Sequence, residues 1–194
     1  MEVSTRPRAG WLPLRLRRNN PAMVIRGILI GVAGTLVVLA LGLYAGVKLG
    51  VMPANADAKP SGMERWMART SLHATLAREA PAGPVPIPLT DENLIAGVKI
   101  YAADCAVCHG GPAATPSKIA RGLYQKPPQL GKDGVEDDPE GVIYWKVRHG
   151  IRLTGMPSFG GSLDDQQLWQ VTLFLKHMDS LAPAAERVWK SVKT

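Results

Sequence analysis

The stretch "DCAVCHGG", Asp104 to Gly111, places two cysteines two residues apart with a histidine directly behind the second. Cys105 and Cys108 are the chain's two cysteines, so no third thiol is available for a long-range structural disulfide. Three chemistries use such a spacing. A structural zinc site needs four ligands, usually from two such pairs. The remaining histidines, His73, His149 and His177, lack the partner spacing. A thioredoxin-like redox pair expects a strand ahead of the motif, whereas "TDENLIAGVKIYAA", Thr90 to Ala103, reads as helix. Covalent haem attachment needs two thiols for thioethers and an adjacent imidazole for iron, and C-A-V-C-H supplies these in one turn of chain.

Upstream lies "GILIGVAGTLVVLALGLYAGV", Gly27 to Val47, without a charged residue. At 1.5 Å per residue it makes a helix of roughly 30 Å, the thickness of a bilayer's hydrocarbon core. Residues 1–26 carry six arginines (Arg6, Arg8, Arg15, Arg17, Arg18 and Arg26) against one Glu, and only Lys48 flanks the far side. The positive-inside rule puts the N-terminus in the cytoplasm and the rest across the membrane. A cleaved signal peptide is the rival, because "ANADA", Ala54 to Ala58, offers small residues at A-x-A spacing. The apolar run exceeds a signal's usual ~7–15 residues, which favours a retained anchor. Residues 59–194 hold 16 basic and 14 acidic side chains, so the net charge of +7 describes the N-terminal tail and argues against a nucleic-acid surface.

Between anchor and motif, residues 59–80 show an amphipathic helical pattern, expected to lie on the membrane or on the domain, and "PAGPVPIP", Pro81 to Pro88, is a stiff extended connector. Thr90 or Asp91 caps the next helix, with Leu94, Val98 and Tyr101 on one face. Residues 110–138 read mostly as loop. A short helix follows, with Pro139 in its first turn and Gly150 as its stop. The last strong helix has Ser162 as cap, with Asp165 completing an S-x-x-D box. Residues 182–194 are expected to be a mobile or weakly helical tail.

An iron held by His109 has a second axial position, for which a thioether on a stiff downstream loop is the expected donor. Met156 sits in "TGMPSFGG", Thr154 to Gly161, where Gly155 and Pro157 constrain the backbone. Met23 precedes the membrane run and Met52 follows it, Met63 and Met67 fit a helix face, and Met178 fits a helix core.

The segments "GVKIYAADCAVCHG", "KPPQLG", "YWKVRHGIRLTGMPSFGG" and "LWQVTLFLK" together resemble a class I monohaem cytochrome c of the bacterial membrane-anchored kind, over about residues 90–180. The resemblance implies an all-α fold around one haem c, bound through Cys105 and Cys108, with His109 and Met156 as iron ligands. It implies that Pro128 accepts the imidazole N–H and Leu130 packs on the ring, and that Trp145 and Arg152, or Arg148 instead, meet the haem propionates. Gly97 and Tyr101 match the family's glycine and aromatic on the first helix; Trp169 and Phe174 match its aromatic positions on the last. The helix crossing they lock is part of that implication.

The chain thus reads as a tail (1–26), a single transmembrane helix (27–47), a periplasmic linker (48–89), a cytochrome domain (90–180) and a C-terminal tail (181–194). The expected function is a non-enzymatic electron carrier at the bacterial inner membrane, serving membrane-bound redox enzymes or soluble carriers. Two alternatives stay open: an electron-transfer subunit of a larger dehydrogenase or oxidase, and a five-coordinate haem enzyme or sensor if Met156 is not a ligand.

Overall fold

The structure, a computed structural model, describes residues 20–51 and 53–193. The arginines between Arg6 and Arg18, and Met52, lie outside the described residues. Among the described residues all regular structure is helical, in two units, 1–54 and 55–194.

The first unit holds one helix, α1 (Pro21–Lys48). It begins six residues before the uncharged run because Asn20 caps it, accepting from the Ala22 N–H, and Pro21 sits in its first turn. None of its residues is buried, and it is long and apolar enough to cross a membrane.

The second unit begins with α2 (Gly62–Glu79), where the Ser61 hydroxyl accepts the Glu64 N–H at 3.1 Å. Pro81 ends it, and an extended connector leads to α3 (Asp91–Ile100), capped by Thr90. The chain then widens into a π-helical turn, Tyr101–Cys105, and retightens into α4 (Ala106–His109). Gly110, at φ 75°, closes it in a conformation that favours glycine. Then follow α5 (Lys118–Gly122), α6 (Glu140–His149), α7 (Asp165–Lys176) and α8 (Pro183–Lys190).

The core is the crossing of α3 over α7. Gly97 permits it, since a Cβ there would stand 2.2 Å from the Gln170 carbonyl oxygen. Tyr101 and Phe174, both fully buried, meet edge to face with centroids 5.4 Å apart. Trp169 faces elsewhere: it stacks on Tyr144 at 4.2 Å and joins α7 to α6. So Phe174 locks the first crossing, and Trp169 a second one.

One local expectation is corrected, and two stretches gain short helices. The cap of α7 is Asp164, not Ser162: its carboxylate accepts the Gln167 N–H while the Gln167 amide oxygen accepts the Asp164 N–H. That reciprocal pair satisfies two orphan groups at once, and Ser162 is left in the preceding turn, donating to Phe159. The residues expected as a tail form α8, because Ala185 and Trp189, one turn apart, are both buried. Trp189 packs edge-on to Tyr101 and Phe174 at 5.4 and 5.2 Å and completes the aromatic cluster. Within the stretch read mostly as loop, Ser117 caps α5, accepting from Ala120 and donating to the Val107 carbonyl.

Candidate functional site

A cavity of about 330 Å³ opens in the second unit, and Cys105, Cys108, His109 and Met156 all lie on its wall. Their segments are far apart in sequence. The π-helical turn and α4 bring the cysteines and His109; the loop between α6 and α7 brings Met156. Apolar side chains fill most of the remaining wall, among them Leu130, Ile143, Val147, Phe159 and Leu175.

His109 is held at its ring and its backbone. Its Nδ1 lies 3.0 Å from the Pro128 carbonyl oxygen. A carbonyl only accepts, so Nδ1 carries the proton and Nε2 keeps a free lone pair. Burial lowers the imidazole's pKa, against a smaller upward pull from the Pro128 hydrogen bond, and so favours the neutral ring a metal needs. The His109 carbonyl accepts the Leu130 N–H at 3.0 Å, which sets Leu130 on the wall. Beneath, the Tyr101 hydroxyl donates to the Gly110 carbonyl at 2.7 Å. The Gln129 amide donates to the Cys108 carbonyl at 3.0 Å. Cys105 and Cys108 are free thiols, and burial raises the pKa of Cys105 to about 12.

Met156 is held by a turn. Its N–H donates to the Thr154 hydroxyl at 3.1 Å, and its carbonyl accepts the Ile151 N–H at 3.3 Å. The Thr154 hydroxyl donates to the Ile151 carbonyl at 2.7 Å. Gly150, at φ 65°, lets the chain leave α6 against the backbone of Pro157. The loop then hangs on the last turn of α6 through Phe159 N–H to Val147 and Gly160 N–H to Arg148.

Trp145 and Arg152 are not brought to this wall. Ile143, Lys146 and Val147 face the cavity from α6 at helical spacing. Trp145 therefore points away, and it packs on His149, one turn on, with centroids 4.8 Å apart. Arg152 is exposed beyond the Gly150 turn. Arg148 bonds to Tyr144 and Asp165 on the far side of α6. Lys126 and Lys146 are the cations on the wall, the latter paired with Asp138 at 2.6 Å. The sequence reading missed both lysines, and the i, i+3, i+4 spacing of 143, 146 and 147 was the available signal for Lys146. It also missed Leu72 of α2, which lines the same cavity.

Two thiols, a neutral imidazole with its free nitrogen fixed and a thioether around one apolar cavity fit a covalently attached haem. Residues 92–175 match the family described as cytochrome c oxidase, cbb3-type, subunit III. The chain belongs to the class I monohaem c-type cytochromes, electron-transfer proteins that hold haem c covalently. Two relatives are similar at the level of sequence. A cytochrome c6 of Picosynechococcus sp. is 36% identical over 91 residues, 45% of this chain and 75% of that protein. A cytochrome c6 of Parathermosynechococcus lividus is 30% identical over 88 residues, 43% of this chain and 87% of that protein. Among solved structures, a chain of the Kuenenia stuttgartiensis reducing HAO-like protein complex shares 27% identity with a TM-score of 0.39. That likeness covers 49% of this chain and 48% of the other.

Proposed function

We propose that the protein is a membrane-tethered electron carrier whose haem c is attached to Cys105 and Cys108 and ligated by His109 and Met156. The observation that carries this reading is that all four side chains line one apolar cavity. When bound, haem c supplies a one-electron couple between Fe(III) and Fe(II). The chain's part is to hold and insulate it. His109 presents the nitrogen that Pro128 leaves free. Met156 offers a soft thioether, which as a ligand would favour reduced iron and raise the potential. Leu130 packs beside the ligand, and Lys126 and Lys146, the cations on the wall, would be the groups available to the haem's acidic side chains. In this reading His109 and Met156 would both hold the iron, leaving no place on it for a substrate.

In this reading α1 anchors the chain in a bacterial inner membrane, with the flanking arginines in the cytoplasm and the haem unit in the periplasm. Confinement near the bilayer raises its effective concentration for membrane-bound redox enzymes, with soluble carriers as other partners. A second reading, an electron-transfer subunit of a larger oxidoreductase, is favoured by the oxidase subunit named in the family description. Co-purification of a stable complex from gently solubilised membranes separates the two.

The test is a redox-resolved absorption spectrum of protein made with a cytochrome c maturation system, beside Met156→Ala. Expected are a c-type reduced band, a weak sulfur–iron charge-transfer band when oxidised, and loss of that band with a lower potential in the variant. An unchanged variant spectrum removes Met156 from the role. An open, exogenous-ligand-binding iron in the parent protein points to an enzyme or sensor. No covalent haem returns the motif to metal or thiol chemistry. The mass of the membrane-extracted protein reports whether residues before Ala58 are retained.

A further inference from the structure

Helix α2 lies outside the family-matched residues 92–175, yet it is packed onto the cavity. Leu72 lines the cavity, and Leu76, one turn later on the same side, is 7% exposed. At the N-terminal end of α2 the Tyr124 hydroxyl donates to Glu64 Oε1 at 2.5 Å. That bond ties the helix to the segment whose Leu123 and Gln125 also line the cavity. At the C-terminal end the connector passes so close to α6 that a Cβ on Gly141 would stand 1.9 Å from the Pro81 carbonyl oxygen. The helix is thus fastened at both ends with Leu72 between. Its opposite side carries Met63, Trp66 and Met67, each more than half exposed, so contact with the cavity belongs to one face.

We propose that α2 is an added wall of the haem crevice, and that Leu72 keeps water and small ligands from the iron. The inference rests on the electron-carrier reading above. Its physical basis is charge. Oxidised iron carries one more positive charge than reduced iron, so an apolar wall in place of water disfavours the oxidised state and raises the potential. The same wall slows entry of an outside ligand.

The experiment uses the full-length, haem-loaded protein and three variants. Leu72→Gln makes the wall polar at nearly constant size. Tyr124→Phe loosens the fastening of α2 without touching the wall, and remains informative if the first variant folds poorly. Trp66→Ala alters only the outer face. The readouts are the reduction potential and the rate at which imidazole binds the oxidised protein. Expected are a lower potential and several-fold faster imidazole binding in Leu72→Gln, a smaller change of the same sign in Tyr124→Phe, and parent values in Trp66→Ala. Parent values in both Leu72→Gln and Tyr124→Phe overturn the proposal. If the parent protein lacks the sulfur–iron band while Leu72→Gln still speeds imidazole binding, the Met156 assignment falls and the wall stands.

Discussion

The two sides of the cavity are built differently. His109 ends a helical stretch that runs from Asp91 through the π-helical turn, and the buried Tyr101 supports it from below. Met156 sits on a loop, held by the hydroxyls of Thr154 and Ser158 and a few backbone bonds to the end of α6. The tip of that loop is Leu153, 87% exposed and at φ 61°, a conformation that costs a non-glycine residue free energy. The imidazole side shares the core's packing, so loosening it loosens the fold. The thioether side meets the core only at its edge, through the partly buried Met156 and Phe159, so ligation there can change while the fold persists.

Removing both thiols, Cys105→Ala with Cys108→Ala, should have the largest effect. Unattached haem is then extractable with acid acetone. Without attached haem the apolar wall of the cavity stands open to water, so far-UV circular dichroism should show a loss of helix and a lower melting temperature. Parent-like melting of the double variant would falsify the view that the imidazole side and the core form one cooperative unit.

Gly97→Ala comes next. Its Cβ would meet the Gln170 carbonyl at 2.2 Å, backbone against backbone, so α3 and α7 must part. The expected cost is about 3 kcal/mol, the upper end for overpacking, read as a lower denaturant midpoint. Tyr101→Phe then probes the imidazole side with little change of volume. It strips the Gly110 carbonyl of its buried partner and should cost about 1–3 kcal/mol, with the sulfur–iron band intact. A lost band at parent stability would reverse the contrast between the two sides of the cavity.

The smallest effect on stability is expected from Thr154→Val on the thioether side. It removes the hydroxyl that bonds both Ile151 and the Met156 N–H. The cost should be about 1 kcal/mol or less, visible chiefly as a weakened sulfur–iron band in the oxidised spectrum. A denaturant midpoint as low as that of Tyr101→Phe would show that the loop, too, is part of the core.

Local signals were readable in sequence because local chemistry sets them. The C-x-x-C-H spacing, the glycine after it, the stiff "TGMPS" loop and the stop at Gly150 each depend on a few adjacent residues. The cap of α7 was ambiguous because "SLDDQQ", Ser162 to Gln167, offers two registers, and the Asp164–Gln167 pair selects one. Helix α8 read only as a mobile or weakly helical tail for another reason. Eight residues make a helix too short to stand alone, and it forms because Trp189 has Tyr101 and Phe174 to pack on. Trp145 and Lys146 are neighbours in sequence, about 100° apart around α6, and only the packing of α6 on α7 decides which one meets the cavity.

By itself, then, the sequence determined the helical class, the apolar α1 and the identity of the groups able to hold a haem, since these follow from periodicity, hydropathy and ligand chemistry within short stretches. The tertiary structure alone decided which side chains share the cavity wall. It put Leu72, Lys126 and Lys146 on that wall and left Trp145 and Arg152 off it. The physical reason is that a side chain's direction is fixed by how its helix rotates to bury its apolar face, and that rotation is set by partners distant in the chain.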